Sequence, residues 1–314
     1  MRDMMEKDYL SEIDERFPVR NSAEEKETFR KWALAEAAGS LRAVREKNDG
    51  HVNLIFGDPA AARVIFTAHY DTPRRGLVPN LMIVTNPVLS FGYKLGIPLV
   101  MLGIAVGAAF GAKALLGLDF ELIKDRILML AVYMAVYFGL FYLLLRGPAN
   151  PHNRNDNTSG TAAVMEILSR QKEGSRIACI LFDDEEKGKK GSKAYAAAHP
   201  DIKANTLIVN LDCVGNGDCA VFSVSDGAES SPLCEELREA VSRKGLKAEF
   251  FSSRRARMNS DHKSFSRSIG VCVCSRSRLA GYYTGRIHTA RDTVAEPETV
   301  LHLAETLSDF AGRI

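Results

Sequence analysis

Two stretches without a charged residue constrain this 314-residue chain more than any other feature: residues 95–112, 18 in length, and residues 127–145, 19 in length. At about 1.5 Å per helical residue, each is long enough to cover most or all of a hydrocarbon core roughly 30 Å thick. The charged segment DFELIKDR lies between them. The pattern predicts an inserted transmembrane hairpin over 81–146, with helices at about 95–118 and 127–145 and DFELIKDR at the tip. A helical pair buried in a larger soluble core is the alternative. A hairpin returns the chain to the side it left, so 1–80 and 147–314 are expected to form one discontinuous domain.

Arg74, Arg75, Lys94, Arg146 and Arg154 flank the hairpin on the domain side, against Lys124 and Arg126 at the tip. By the positive-inside rule, this asymmetry favours a cytoplasmic domain. The opening MRDMMEKDYLSEIDERF has no apolar core of the kind a secretory signal needs, which gives the same expectation. The net charge is only +2, with no long run of Lys or Arg, so no nucleic-acid partner is expected. The six cysteines at 179, 213, 219, 234, 272 and 274 have no zinc-finger spacing and read as reduced, mostly buried thiols.

Outside the hairpin the sequence alternates between helical and strand-like runs. Residues 4–17 and 22–38 have helical spacing, with Asn21 or Ser22 as a cap for the second. Strands are predicted at 51–56, 63–69, 176–182, 206–211, 219–225 and 270–275, with helices near 159–170, 190–198, 230–244 and from 297 onward. This is an α/β pattern: a mixed, mostly parallel sheet sandwiched by helices.

Acids and histidines cluster at the ends of those strands. His69 and Asp71 close one, Asp183 to Glu186 follow another and Asp212 ends a third; Asp156 lies on a turn into a helix and His288 precedes the last helix. Ligands gather at the carboxyl ends of strands in an open α/β sheet. Two imidazoles with three or more carboxylates suit a pair of divalent ions, and the histidines favour zinc or another transition metal over calcium or magnesium.

Five segments in order resemble the co-catalytic zinc aminopeptidases and the related glutamate carboxypeptidase-like exopeptidases: AHYDT, NDNTSGTAAVMEIL, FDDEEKGKKGSKAY, NLDCVG and IHTARDT. Each alone is a weak signal; their order carries the likeness. The resemblance implies the zinc exopeptidase fold and two zinc ions acting on a peptide substrate. His69 and Asp212 would bind one ion, Glu186 and His288 the other, and Asp156 both. It also implies Glu185 as general base and Asp71 as acceptor of a hydrogen bond from the His69 ring.

SDHKSF resembles a substrate-side segment of the family, with His262 left outside the metal set as either a substrate-side or a surface histidine. The basic KGKKG after Glu186 departs from the family's usual apolar residue; Lys187, Lys189 and Lys190 read as solvated, with a face toward anionic lipid or an acidic substrate tail as the alternative. Aminopeptidase action leads; carboxypeptidase or dipeptidase action, a one-metal glutaminyl cyclase and a catalytically silent membrane receptor or scaffold are the alternatives. Both hairpin ends feed into the proposed metal-binding turns, so the active-site rim is expected near the membrane. The sequence does not fix the oligomeric state.

Overall fold

The computed structural model describes residues 7–38, 40–76, 78–172 and 174–314. Two helices open the chain, α1 (Tyr9–Arg16) and α2 (Ala23–Glu36). Residues 4–6 of the first predicted helix lie outside the described residues. Ser22 and Glu25 form a reciprocal capping box at the start of α2, which supplies partners for two otherwise orphaned amides.

The strands are β1 (Ala43–Asn48), β2 (His51–Phe56), β3 (Val64–His69), β4 (Asn80–Ile83), β5 (Ile177–Phe182), β6 (Leu207–Leu211), β7 (Cys219–Val224), β8 (Ala248–Ser252), β9 (Ser268–Ser277) and β10 (Gly281–Ile287). The remaining helices are α3 (Pro87–Leu116), α4 (Ile123–Leu145), α5 (Gly160–Ser169), α6 (Lys190–Ala198), α7 (Pro200–Asn205), α8 (Asp226–Glu229), α9 (Pro232–Arg243) and α10 (Pro297–Ala311).

All ten strands join one mixed sheet in the order β1-β2-β5-β3-β6-β9-β10-β4, with β7 pairing β9 and β8 pairing β7. The central run β5-β3-β6-β9 is parallel, as the alternating pattern predicts, and the flanks are antiparallel. Every residue of β3, β5 and β6 is buried, as expected for strands covered on both faces. Successive side chains alternate: Phe66 and Val64 pack with α1, α2, α5 and α10, whereas Ile65 packs with Tyr195 and Ala196 of α6.

The first helix of the hairpin begins earlier than the predicted residue 95. Asn86 caps α3 and Pro87 occupies its first turn, a position where the missing proline N–H costs no hydrogen bond, so helix extends through Lys94 into the uncharged run. β4 corrects the expected boundary at 81, because Asn80–Ile83 pairs with β10 in the sheet. Both α3 and α4 are long and apolar enough to cross a membrane. They pack against each other, and Phe91, Val100, Phe110, Ile127, Leu130 and Phe138 face outward. A buried soluble core pair would enclose such side chains. All six cysteines are free and buried.

Candidate metal centre

Three neighbouring parallel strands deliver most of the predicted ligands to one level. His69, the last residue of β3, pairs in register with Phe182 of β5, whose next residues run Asp183 to Glu186, and Asp212 follows directly after β6. The fourth contribution comes from the turn 154–159, where Asp156 and Asn157 are non-helical and joined by a cis peptide bond. Asn157 secures this turn by donating to Leu211 O at 3.0 Å and accepting from Gly160 N at 3.0 Å. Gly160 is required there, since a Cβ would sit 2.3 Å from Leu211 O. The fifth comes from β10, whose pairing with β4 slips between Thr284 and Ile287, leaving Arg286 and His288 at φ values of 67° and 57°.

Asp156 is the hub. Its Oδ1 lies 3.5 Å from His69 Nε2 and its Oδ2 lies 3.1 Å from His288 Nε2. Asp212 Oδ1 is 3.9 Å from His69 Nε2 on one side, and Glu186 Oε2 is 3.4 Å from His288 Nε2 on the other. Two groups therefore share Asp156: His69, Asp156 and Asp212, and Asp156, Glu186 and His288, each with ligand atoms within 4.8 Å of one another. Glu185 joins His69 and Glu186 in a third. All five sequence-predicted ligands and the predicted base are thus brought together. They open into or lie beside a cleft of about 230 Å³, rimmed by Asn80, Met82, Lys189 and Asn259.

Asp71 does meet the His69 ring, but more closely through its backbone oxygen than through its carboxylate. His69 Nδ1 lies 3.0 Å from the Asp71 backbone oxygen and 3.4 Å from its carboxylate. The carboxylate instead accepts the Glu185 and Glu186 amides at 3.0 and 3.2 Å. The reason is that β3 ends at His69, so Asp71 lies on a turn facing the 183–186 loop rather than on a continued strand. One residue thereby links the histidine to both glutamates.

Charge is strongly frustrated in this space. Burial pushes Glu185 well above its usual range, and Asp261, Glu186 and Asp212 add to the shift against His69. Burial also lifts Glu186 to about 8, and burial together with Asp156 raises Asp212. Burial opposes a charged His288, yet Glu186 and Asp156 outweigh it and raise that imidazole to about 9. His69 is raised in the same way, through Asp156 and Asp71. Despite burial, hydrogen bonds from the two histidines hold Asp156 well below the ordinary carboxylate range. Several carboxylates and two imidazoles are crowded at one cleft, an arrangement that favours binding of protons to balance the negative charge. Divalent cations at the two Asp156-sharing groups would balance it equally, so this donor set fits a metal pair.

Several residues that position the site were not singled out from sequence. Asp292 accepts the Asn155 and Asp156 amides at 3.1 and 3.0 Å; its place in IHTARDT was the available signal. Arg20 is fully buried and donates to Thr158 Oγ1 at 3.0 Å and to Phe17 O at 2.6 Å, tying the N-terminal helices to the Asp156 turn. Nothing in the local sequence marks that role. His262 is buried beside Asp261, which excludes a surface histidine. The basic loop is partly engaged: Lys187 lies 2.8 Å from Asp184, and Lys189 donates to Asn259 at 2.8 Å.

Comparison with known proteins agrees first on the class of fold. The aminopeptidase LapA of Legionella pneumophila superposes with a TM-score of 0.56 at 14% identity over 96% of this chain and 69% of that one. LapB of the same organism gives 0.57 at 13% identity over 96% and 69%. A glutaminyl cyclase of Fimbriiglobus ruber gives 0.56 at 15% identity, covering 96% of this chain and 92% of that one. At such identities the likeness is one of fold. No curated protein matches by sequence. The family is fixed by the sequence pattern of peptidase family M28, which matches residues 149–311; the chain belongs to that family.

Proposed function

We propose that this protein is a membrane-anchored zinc aminopeptidase, with His69 and Asp212 holding one ion, Glu186 and His288 the other, and Asp156 both. The observation that carries this reading is the division of Asp156 between two imidazoles, one oxygen 3.5 Å from His69 and the other 3.1 Å from His288. Membership in peptidase family M28 supports peptide hydrolysis.

When bound, zinc polarises a carbonyl and lowers the pKa of coordinated water to about 7. The protein's own residues do the rest. Glu185 Oε takes a proton from the attacking water and returns it to the leaving amine nitrogen, a role helped by burial that raises its proton affinity. Asp71 fixes the Glu185 and Glu186 amides, which aims the two glutamates. Asp292 fixes the Asp156 turn from behind. A substrate ammonium group is suited to the surplus of carboxylates, the basis for preferring aminopeptidase action over the other exopeptidase activities.

The hairpin, read as a bilayer anchor with the domain on the cytoplasmic side, continues directly from β4. Asn80 and Met82 on that strand line the cleft, which supports a rim near the membrane. A panel of peptides with free and blocked N-termini, assayed with metal content on the detergent-solubilised protein, tests the function. Cleavage confined to free N-termini with two ions per chain is expected. One ion with cyclisation of N-terminal glutamine, or turnover of blocked peptides from the carboxyl end, overturns it.

A further inference from the structure

Two cavities at the foot of the hairpin are lined by consecutive residues of one segment, Val78 and Pro79, and by none of the residues that line the candidate metal cleft. The first is an almost wholly apolar groove of about 470 Å³, bounded by Gly96 and Met101 of α3, Leu140 and Leu144 of α4, and Val78 and Tyr93 at its domain end. The second is a cavity of about 350 Å³ that begins at the very next residue, Pro79, and is lined by Arg75, Arg286 and Arg291. The Tyr93 hydroxyl donates to Pro79 O, pinning the joint between them.

Among the described residues no carboxylate pairs with any of these three arginines, and all three are exposed. Their loops are nevertheless fixed. Thr289 Oγ1 donates to Arg286 O and accepts the Arg291 amide at 3.0 Å, while Arg75 N donates to Pro148 O, on the returning chain, at 2.8 Å. Three guanidinium groups lining one cavity, carried on a fixed backbone and without counter-ions among the described residues, suit an oxyanion, which forked donors bind in two-point fashion.

We propose that the two cavities form one binding site for an anionic phospholipid, with the phosphate among Arg75, Arg286 and Arg291 and an acyl chain along the groove between α3 and α4. The site rests on reading the hairpin as a membrane anchor. Charge complementarity selects the headgroup, and the setting selects the tail: a groove between membrane-crossing helices is surrounded by acyl chains rather than water. Gly96 lines the groove, and a Cβ there would meet nothing within 4 Å, so a larger side chain can be introduced into that space without a backbone clash.

The test uses the intact protein. Membranes carrying it are washed with alkaline carbonate. The protein is then purified in neutral detergent, and phosphatidylglycerol and phosphatidylcholine retained per chain are measured by native mass spectrometry. The wild type should keep phosphatidylglycerol in preference to phosphatidylcholine. The triple variant Arg75→Gln, Arg286→Gln, Arg291→Gln should lose retention by at least about tenfold, as should Gly96→Leu, which fills the groove and leaves every charge in place. A triple Arg→Lys variant keeps the charge but loses the forked donors, so it should retain clearly more phosphatidylglycerol than the Gln variant and less than the wild type, separating loss of charge from loss of fold.

Equal retention of both lipids, or of phosphatidylglycerol by the Gly96→Leu variant, overturns the two-part site. Displacement by glycerol phosphate at concentrations matching the lipid also overturns it, leaving a site for a free oxyanion. Extraction by carbonate removes the anchor and the site with it, whereas a carbonate-resistant protein without bound phosphatidylglycerol removes the site alone.

Discussion

Lys26 and Asp184 are separated by 158 positions and make a direct ionic contact inside the protein. Asp184 is a non-glycine residue with φ of 52°, and it turns the chain from β5 into Glu185 and Glu186. Lys26 also reaches Asp183 at 2.6 Å, and His51 lies 2.8 Å from Asp184 on its other side. A helix near the N-terminus therefore braces the loop on which the proposed base and one proposed ligand sit.

Replacing Lys26 with Met leaves two buried carboxylates short of a partner and is expected to destabilise the protein by about 3–5 kcal/mol. Thermal unfolding in detergent measures it. Adding Asp184→Gly removes one of the two carboxylates, although with it the contacts to His51 and Lys187, and suits the left-handed backbone, so the double variant should regain part of the loss. No recovery would count against Lys26 acting through Asp184.

The metal set predicts a graded response to ligand loss. Asp156→Asn should reduce bound zinc toward none, because both groups share that residue, whereas His288→Ala should leave about one ion per chain. Elemental analysis of the purified variants decides it. Equal loss in both, or none in either, contradicts a shared centre. Chelation of the wild type should abolish activity and lower the unfolding temperature, since bound metal stabilises the native state by mass action.

Glu185→Gln keeps the side chain's size and removes its capacity to carry the proton. A fall in kcat of about 10²–10⁴-fold is expected, with metal content unchanged. Metal loss in this variant would instead make Glu185 a ligand.

Asp261 supplies a pH test. It is fully buried, and the hydroxyl of neighbouring Ser192 is engaged with Lys189 O and Ser264, so among the described residues its carboxylate oxygens have no hydrogen-bond partner of their own. Burial pushes it up to about 7, against the pull of His69. A raised folded-state value means that the protonated form is favoured by folding. The associated stability is full below about pH 4, the ordinary carboxylate value, and is lost as pH rises through about 7. In metal-free protein, Asp261→Asn should therefore gain stability relative to wild type between pH 5 and 8. A pH-independent difference in urea unfolding would refute the assignment.

Topology can be read with thiol reagents because all six native cysteines are buried. A cysteine introduced at Glu121, at the hairpin tip, should label from the side of the membrane opposite to one introduced at Lys244 on the domain. Labelling of both from one side contradicts a spanning hairpin.

Much of this protein is written locally. The two uncharged runs define the hairpin because a long apolar helix needs no distant partner to satisfy its backbone. The capping box at Ser22 and Glu25 and the apolar runs of β3, β5 and β6 are equally local. The gathering of His69, Glu186 and Asp212 was legible because strand ends in a parallel sheet converge, whereas Asp156, on the turn 154–159, and His288, after the antiparallel strand β10, were picked out only by the order of the five motifs. What only the tertiary structure decided are relationships between segments far apart in the chain. The edge strand β4 carries too short a signal to separate from the hairpin that follows, and its pairing with β10 is what aims His288. Arg20 on the Asp156 turn, Lys26 on Asp184 and the gathering of Arg75, Arg286 and Arg291 around one cavity follow from the same cause. A side chain's partners in space are chosen by packing of the whole chain, which local periodicity does not encode.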